Sequence, residues 1–491
     1  MGDQLILGID AGTTGVRAVL INRQGEMIAR NYREFPQIYP QPGWLEHDPL
    51  VIWSTTLEVI NGVLKETQVR PQDIAGIGIT NQRTTTILWD KHTGQPVYNA
   101  IVWQDIRTAE RCKELNQQGY IMVAPLQCSS KIEWILEHVA DAKPRADKGD
   151  VIFGTVDSWL LWKLTGGAVH ATEYSNASVS GLYDFVNNKW QPDMLELFGV
   201  PESILPTIRE SSTIYGYTDP ELWRAKIPIA GIAGDQQAST FGHGCFELGE
   251  FKNTYGTACM LDANAGTESV FPVHGAYPIV LWGLDGQIFY GFEGTTITAG
   301  ATIQWLRDGL GIIDSVEQSE ALAASVPDTG GVYLIPAFMG LGVPYWDSET
   351  RACILGITRG TTKAHIVRAG LEAIAFRTRD IVECMAEDMP APPQVLKADG
   401  GAARNNFLMQ FQADILGFPV QRPKYFEASV LGASFLAGLA VGYWSGLEEI
   451  RSLLKVDRVF EPKMAAEQRE ELYAQWKRAV AHAQGYGIRE D

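Results

Sequence analysis

An α/β fold is predicted for this chain of 491 residues from three observations. Short apolar runs at strand spacing alternate with segments at helical spacing along most of its length, the pattern of interleaved strands and helices. The chain opens with two strands joined by a tight turn, and it is long enough for two or three domains with cores of their own. With 45% hydrophobic and 20% charged residues, it has ordinary globular composition and no expected disorder.

Residues 5–10 form the first strand, Ala11-Gly-Thr-Thr-Gly15 the turn and 16–21 the second strand, closed by the turn 22–25. Helical patterns follow at 49–66 and 108–117, with strands at 74–80, 85–89 and 99–103. Ile227, Ile229 and Ile232 mark an apolar strand that leads into Gly234-Asp-Gln-Gln237. After Gly242-His-Gly244 a second set begins, with strands at 252–255 and 258–261 and helices at 298–308, 363–385 and 406–416. The domain boundary is placed near 245, giving domains 1–245 and 246–491. Each half opens with a turn containing Gly-Thr, Gly12-Thr-Thr14 and Gly256-Thr257, so two related halves are expected. The apolar stretch 428–444 approaches a membrane span in length, but it is rich in Gly and Ala and includes Ser429 and Ser434; it reads as a buried helix.

Charge and cysteine usage narrow the partners. Forty Lys+Arg against 58 Asp+Glu give a net charge of −18, which repels phosphate backbones and anionic lipid, so neither nucleic acid nor membrane insertion is expected. The six cysteines are scattered, with no Cys-x-x-Cys pair and no zinc spacing. No basic segment precedes the first strand, so a reduced, cytoplasmic protein is expected. A homo-oligomer is left open.

The chemistry centres on Asp235, a lone carboxylate among small residues and a Gln pair just after a strand. Such a residue suits a base aimed into a cleft, and on the local pattern a hydrogen-bonded structural Asp fits equally well. Gly12, Thr13, Thr14 and Gly15 make a tight turn whose backbone N–H groups and hydroxyls can receive phosphate oxygens, with Arg17 as a fixed cation; a plain hairpin turn is the alternative. Two further small-residue loops, Tyr255-Gly-Thr-Ala258 and Ala398-Asp-Gly-Gly-Ala-Ala-Arg-Asn405, can approach a nucleotide, and the second precedes a helix N-terminus that favours anions. No G-x-x-x-x-G-K-[ST] or G-x-G-x-x-G run is present, which excludes P-loop and dinucleotide-turn readings.

Asp10, Gly12-Thr-Thr14, Asn81-Gln-Arg83, Trp103-Gln104, Gly234-Asp-Gln-Gln237, Asn253-Thr-Tyr-Gly-Thr257 and Asp399-Gly-Gly401, in this order, resemble the FGGY carbohydrate kinases, within them the branch that phosphorylates glycerol. Similar blocks at 42–48, 154–159, 299–307, 344–347 and 406–410 extend the resemblance over nearly the whole chain. It implies the actin-like ATPase fold, two RNase H-like domains around a nucleotide and substrate cleft, and MgATP-dependent phosphorylation of a small polyol. By that resemblance Thr13, Thr14, Gly15 and Arg17 approach the phosphates, and Thr257, Gly300, Gln304, Gly401 and Asn405 hold the nucleotide. Asp235 is the base, Arg83, Trp103, Asp235 and Gln236 grip the acceptor, and Asp10 holds Mg2+ through water. Taken without the resemblance, Arg83 reads as a surface charge and Trp103 as a core ring.

Three positions depart from the branch. Its members read Asn-Gln-Arg-Glu-Thr-Thr in the first acceptor loop, where this chain has Thr84 in place of the Glu; Leu126 stands where a Tyr contacts substrate, and Met260 replaces a Phe. Asp105 or Tyr120 would be the compensating contacts, although a surface charge and a packed ring are the expected roles of these two. The leading expectation is an ATP-dependent polyol kinase, glycerol first. A related kinase for another polyol or a ketose is second, and a silent nucleotide-binding regulator third.

Overall fold

The computed structural model describes residues 4–120, 123–424 and 427–484. It divides into two compact units, Met1–Gly244 with Ile279–Phe289 and Glu427–Leu454, and Cys245–Pro278 with Tyr290–Phe426 and Lys455–Asp491.

In the first unit β1 (Leu5–Ala11), β2 (Gly15–Ile21), β3 (Met27–Glu34), β4 (Ile74–Asn81), β5 (Ser212–Tyr217) and β6 (Pro228–Gly234) pair in the order β3-β2-β1-β4-β6-β5. β1, β2 and β3 are antiparallel, β4 and β6 run parallel to β1, and β5 returns antiparallel. In the second unit β7 (Glu250–Tyr255), β8 (Cys259–Gly266), β9 (Gln287–Thr296), β10 (Val395–Asp399), β11 (Val420–Pro423) and β12 (Val456–Phe460) pair as β9-β8-β7-β10-β11-β12. Their directions repeat those of the first unit step for step. The two related halves expected from the Gly-Thr turns are therefore present as one five-strand order used twice, β3-β2-β1-β4-β6 and β9-β8-β7-β10-β11, while the antiparallel strand beside the last of these precedes it in the first unit and follows it in the second.

The helices obey local signals. The helix Pro49–Thr67 begins with Asp48 accepting from the Leu50 N–H and Pro at its first position. Asn406–Leu416 is capped by Asn405 and ends on Gly417 at φ 81°, the left-handed stop that glycine supplies. Two predicted strands are shorter than expected. The strand expected at 85–89 starts only at Ile87, because Thr84 has φ 56° and the Thr85 hydroxyl bonds Gln82, curling the chain there. That expected at 99–103 is reduced to Ala100–Ile101, whose partner Glu46–His47 is equally short.

The apolar run 428–444 forms the helix Ala428–Ala440, buried on the first unit's sheet. Backbone contact explains its small residues and those beneath it: a Cβ at Gly78 would lie 2.2 Å from the Ala433 carbonyl oxygen, and one at Gly231 would lie 2.3 Å from the Ala437 nitrogen. Among the described residues no helix is long and apolar enough to cross a membrane. The six cysteines are all free.

Candidate active site

β1, β4 and β6 run parallel and end together. Their register aligns Asp10 with Thr80 and Thr80 with Ala233, so Asp10, Asn81-Gln-Arg83 and Gly234-Asp235 emerge side by side at the carboxyl ends of the strands, where open α/β sheets place ligands. Asp10 faces Arg17 across the hairpin, with Nη1 3.8 Å from Oδ2. Burial pushes the Asp10 carboxyl up to about 6, Arg17 opposes this and the charge of Asp235 adds to it.

Asp235 is the first residue of the helix Asp235–Gly242, and its Oδ1 accepts the Gln236 N–H at 2.8 Å. Arg83 Nε lies 3.3 Å from the same oxygen while its Nη1 donates to Gln237 Oε1 at 3.3 Å. Arg83 is thus a clamp and not a surface charge; its side chain is 13% exposed. A Cβ on Gly234 would lie 2.7 Å from Arg83 Cγ and Cδ, so glycine is needed for the arginine stem to cross it. A third of the Asp235 side chain is exposed.

Trp103 is 40% exposed, not a core ring, and its Nε1 donates to Thr13 Oγ1 at 2.9 Å. The turn's carbonyls are tied back: Gln82 donates to Gly12 O at 3.2 Å, Gln37 to Thr13 O at 3.0 Å and the Phe35 N–H to Thr14 O at 3.2 Å. Thr14 is exposed. Glycine at 15 is explained by strand packing, since a Cβ there would lie 2.3 Å from the Arg33 carbonyl oxygen.

His47 orients both glutamines, with Nε2 2.7 Å from Gln37 Oε1 and Nδ1 3.3 Å from Gln82 Nε2. Burial pushes this imidazole down from 6.5 to about 4, so the unfolded chain binds its proton first as pH falls. Its contribution to stability is therefore complete above pH 6.5 and is lost as pH falls toward 4, by up to ~3 kcal/mol. Denaturant unfolding across that range should show this slope in the parent and a shallower one in His47→Gln; equal slopes would contradict it.

Thr84 is buried at φ 56°, and its carbonyl accepts from Lys131 Nζ at 3.2 Å. The same ammonium bonds Leu126 O at 2.9 Å, and burial pushes it down to about 8. Leu126 itself is 43% exposed. Two expectations are corrected here. Asp105 is no surface charge but is buried, accepting from the Leu45 N–H and from Arg107, a desolvated guanidinium between the rings of Trp44 and Trp134. Tyr120 is 41% exposed and not a packed ring, because it lies just past the end of the helix Ala109–Gln117.

In the second unit β7 and β10 are parallel, with Thr254 beside Asp399, so the turn at Gly256-Thr257 neighbours Gly400-Gly401. Gly400 has φ 88°, and a Cβ on it would strike the Tyr255 backbone. The helix Gly300–Asp308 starts against the same turn: the Gly300 N–H donates to Gly256 O at 3.0 Å and the Ala299 N–H to Thr257 O at 2.8 Å. Thr257 and Gln304 are exposed, and a Cβ on Gly401 would meet nothing within 4 Å. Asn405 is engaged otherwise, its Oδ1 capping Leu408 N and its Nδ2 donating to Ser319 Oγ. Met260 Sδ accepts from Thr295 Oγ1 at 3.2 Å. Since Thr257 points to solvent, Thr257→Trp should fold normally yet weaken ADP binding at least tenfold by calorimetry; unchanged affinity would show that the nucleotide binds elsewhere.

The FGGY family of carbohydrate kinases is matched twice, its N-terminal domain by residues 5–242 and its C-terminal domain by 251–441. The chain belongs to this family. As an FGGY kinase it is 51% identical over 490 residues to the "Glycerol kinase 2" of Thermotoga maritima, covering 98% of this chain and 99% of that one. It is 49% identical to the glycerol kinase of Brevibacillus brevis, covering 100% of both. Among solved structures it resembles Plasmodium falciparum glycerol kinase with ADP, at TM-score 0.94, 33% identity and 98% coverage of each chain. The xylulose kinase of Lactobacillus acidophilus shares the fold, at TM-score 0.88 and 21% identity over 98% of this chain and 99% of that one. The actin-like ATPase architecture with doubled RNase H-like topology is thereby established for this FGGY kinase, and with it the use of ATP.

Sequence reasoning missed several supporting residues of this FGGY kinase. Gln37, His47, Gln237 and Lys131 received no role, because each acts on a segment remote in sequence.

Proposed function

We propose that this FGGY kinase transfers the γ-phosphoryl group of ATP to a terminal hydroxyl of glycerol, giving glycerol 3-phosphate and ADP. The observation that supports this most strongly is the Arg83–Asp235 pair at the strand ends, a carboxylate one third exposed and held by a largely buried cation. Relatives about 50% identical over nearly the full chain are glycerol kinases.

In this reading Arg83, Trp103 and Gln236 orient the acceptor and Asp235 takes its hydroxyl proton as the oxygen attacks. Thr13, Thr14 and Arg17 receive the phosphates, and Thr257, Gly300, Gln304, Gly401 and Asn405 hold the nucleotide. The donors of Asp10 suit Mg2+: they are hard carboxylate oxygens at the strand ends, on a group whose pKa is raised chiefly by burial, so a bound cation would favour its charged form. Asp10 would hold the ion with water and phosphate oxygens completing the shell, as Mg2+ prefers. When bound, the ion neutralises charge on the phosphate oxygens.

Release of ADP, followed with glycerol and with a panel of small polyols and ketoses, tests the proposal. Glycerol should give the highest kcat/KM, and a clear preference for another acceptor would replace it with the second reading, which Thr84, Leu126 and Met260 favour. Thr84→Glu separates the two. Glu is less strained at φ 56° than β-branched Thr, so the change is tolerable locally. If a weakened glycerol grip explains Thr84, KM for glycerol should fall, by up to about a hundredfold if a charged hydrogen bond re-forms. If the pocket is rebuilt for another acceptor, the buried carboxylate should reduce activity on the true substrate.

A further inference from the structure

Behind Asp235 lies a polar network that the proposed reaction does not use. Glu173 is buried and its carboxylate receives five donors: Ser175 N at 2.7 Å, Asn176 N at 2.6 Å, Ser175 Oγ at 2.5 Å, Asn176 Nδ2 at 3.0 Å and Ser211 Oγ at 2.8 Å. Ser175 Oγ, having donated to Glu173, accepts the Gly234 N–H at 2.9 Å. Asn176 and Asn81 exchange side-chain amide hydrogen bonds at 3.0 and 3.1 Å. Asn81 closes β4 two residues before Arg83, and Gly234 closes β6 one residue before Asp235.

A buried network of this kind is expensive unless every member is bonded, and an apolar filling would stabilise the fold at least as well. Here every polar side-chain atom of Glu173, Ser175, Asn176 and Asn81 has a partner. What the network adds is a fixed relation between two strand ends. It holds the backbone on both sides of the 3.3 Å contact between Arg83 and Asp235.

We propose that Ser175 is a positioning residue for the base: its hydroxyl, oriented by Glu173, holds the Gly234 N–H and thereby sets where the Asp235 carboxylate points. This rests on the reading of Asp235 as the base. The hydroxyl suits the task because it donates to a carboxylate and accepts from a backbone amide at once. Neither Ala nor Cys can do both well.

The test compares Ser175→Ala, Ser175→Cys, Ser175→Thr, Ser211→Ala and Asp235→Ala in steady-state kinetics of the full-length protein, with ATP and its best acceptor. Misplacing a catalytic group by a fraction of an ångström to one ångström costs up to about a hundredfold, so Ser175→Ala and Ser175→Cys should lose about tenfold or more in kcat with both KM values within about twofold. Ser175→Thr, which keeps the hydroxyl, should recover most of that loss. Ser211→Ala removes a donor from the same carboxylate without touching Gly234, and should stay within about twofold of the parent. A merely structural role would instead lower the amount of active protein in all four serine variants and leave kcat per nucleotide-binding site unchanged. Should Ser175→Ala fail to fold, the near-isosteric Ser175→Cys decides. Parental kcat in Ser175→Cys or Ser175→Ala, beside an inactive Asp235→Ala, overturns the proposal alone; an active Asp235→Ala overturns the base reading as well.

Discussion

Asp235→Ala is expected to bind ADP within a few-fold of the parent and to lose phosphoryl transfer by about 10²–10⁴-fold, the range that a positioned base supplies. Its neighbours explain the selectivity of the loss. Arg83 keeps its bond to Gln237, the turn at Thr13 keeps Trp103, and Gly256, Thr257 and Gly300 belong to a separate compact unit. Removing the carboxylate also removes one contribution that raises the Asp10 carboxyl, so Asp10 should not become less acidic. Calorimetry with ADP and an ADP-release assay on the same preparation check both halves. Turnover within a few-fold of the parent would take Asp235 out of the mechanism.

The second large effect is on the scaffold that presents this residue. Gly432→Val should destabilise the protein by at least ~3 kcal/mol, at the upper end for overpacking, because backbone is struck and not a yielding side chain. A Cβ at Gly432 would lie 1.8 Å from the Ala238 carbonyl oxygen, and one at Gly242 would lie 2.0 Å from that of Ala428. The helices Asp235–Gly242 and Ala428–Ala440 therefore touch main chain to main chain, and adding a side chain must drive them apart. Because the first of them begins at Asp235, kcat should fall together with stability. Gly446→Ala is the control, since a Cβ there meets nothing within 4 Å, and it should stay within ~0.5 kcal/mol. Chemical denaturation of both variants measures this, and equal stabilities would contradict the close crossing.

Much of the fold was legible because its signals are local. The hairpin at 5–21, the strand before Asp235 and the helix Asn406–Leu416 each have apolar spacing with a turn or cap residue at the end, and such signals survive without tertiary context. The glycines and alanines of 428–440 identified a buried helix. They did not reveal that it lies on Gly78 and Gly231, since strand order is not a local property. The same limit applies to the candidate site. Asp235 could be singled out as a lone carboxylate after a strand, whereas its clamp needs β4 beside β6 before Arg83 reaches it. Asp105 was misjudged because the residue that buries it, Arg107, is itself hidden by Trp44 and Trp134 from elsewhere in the chain. Glu173 and Ser175 stand in a short polar run in which Ser175 and Asn176 give the carboxylate four of its five donors locally; the fifth, Ser211, and the Gly234 N–H that Ser175 receives are brought there only by the fold.

The most direct test of the central claim is to follow the fate of the γ-phosphoryl group by phosphorus NMR when the protein is given ATP, Mg2+ and glycerol whose terminal oxygens are labelled with a heavy isotope. The account predicts one phosphomonoester on a terminal carbon of glycerol, with the heavy oxygen retained in the ester bridge, formed in step with ADP and absent with Asp235→Ala. ADP accompanied by inorganic phosphate at a rate indifferent to glycerol, or a phosphoester that Asp235→Ala forms as fast as the parent, would contradict it.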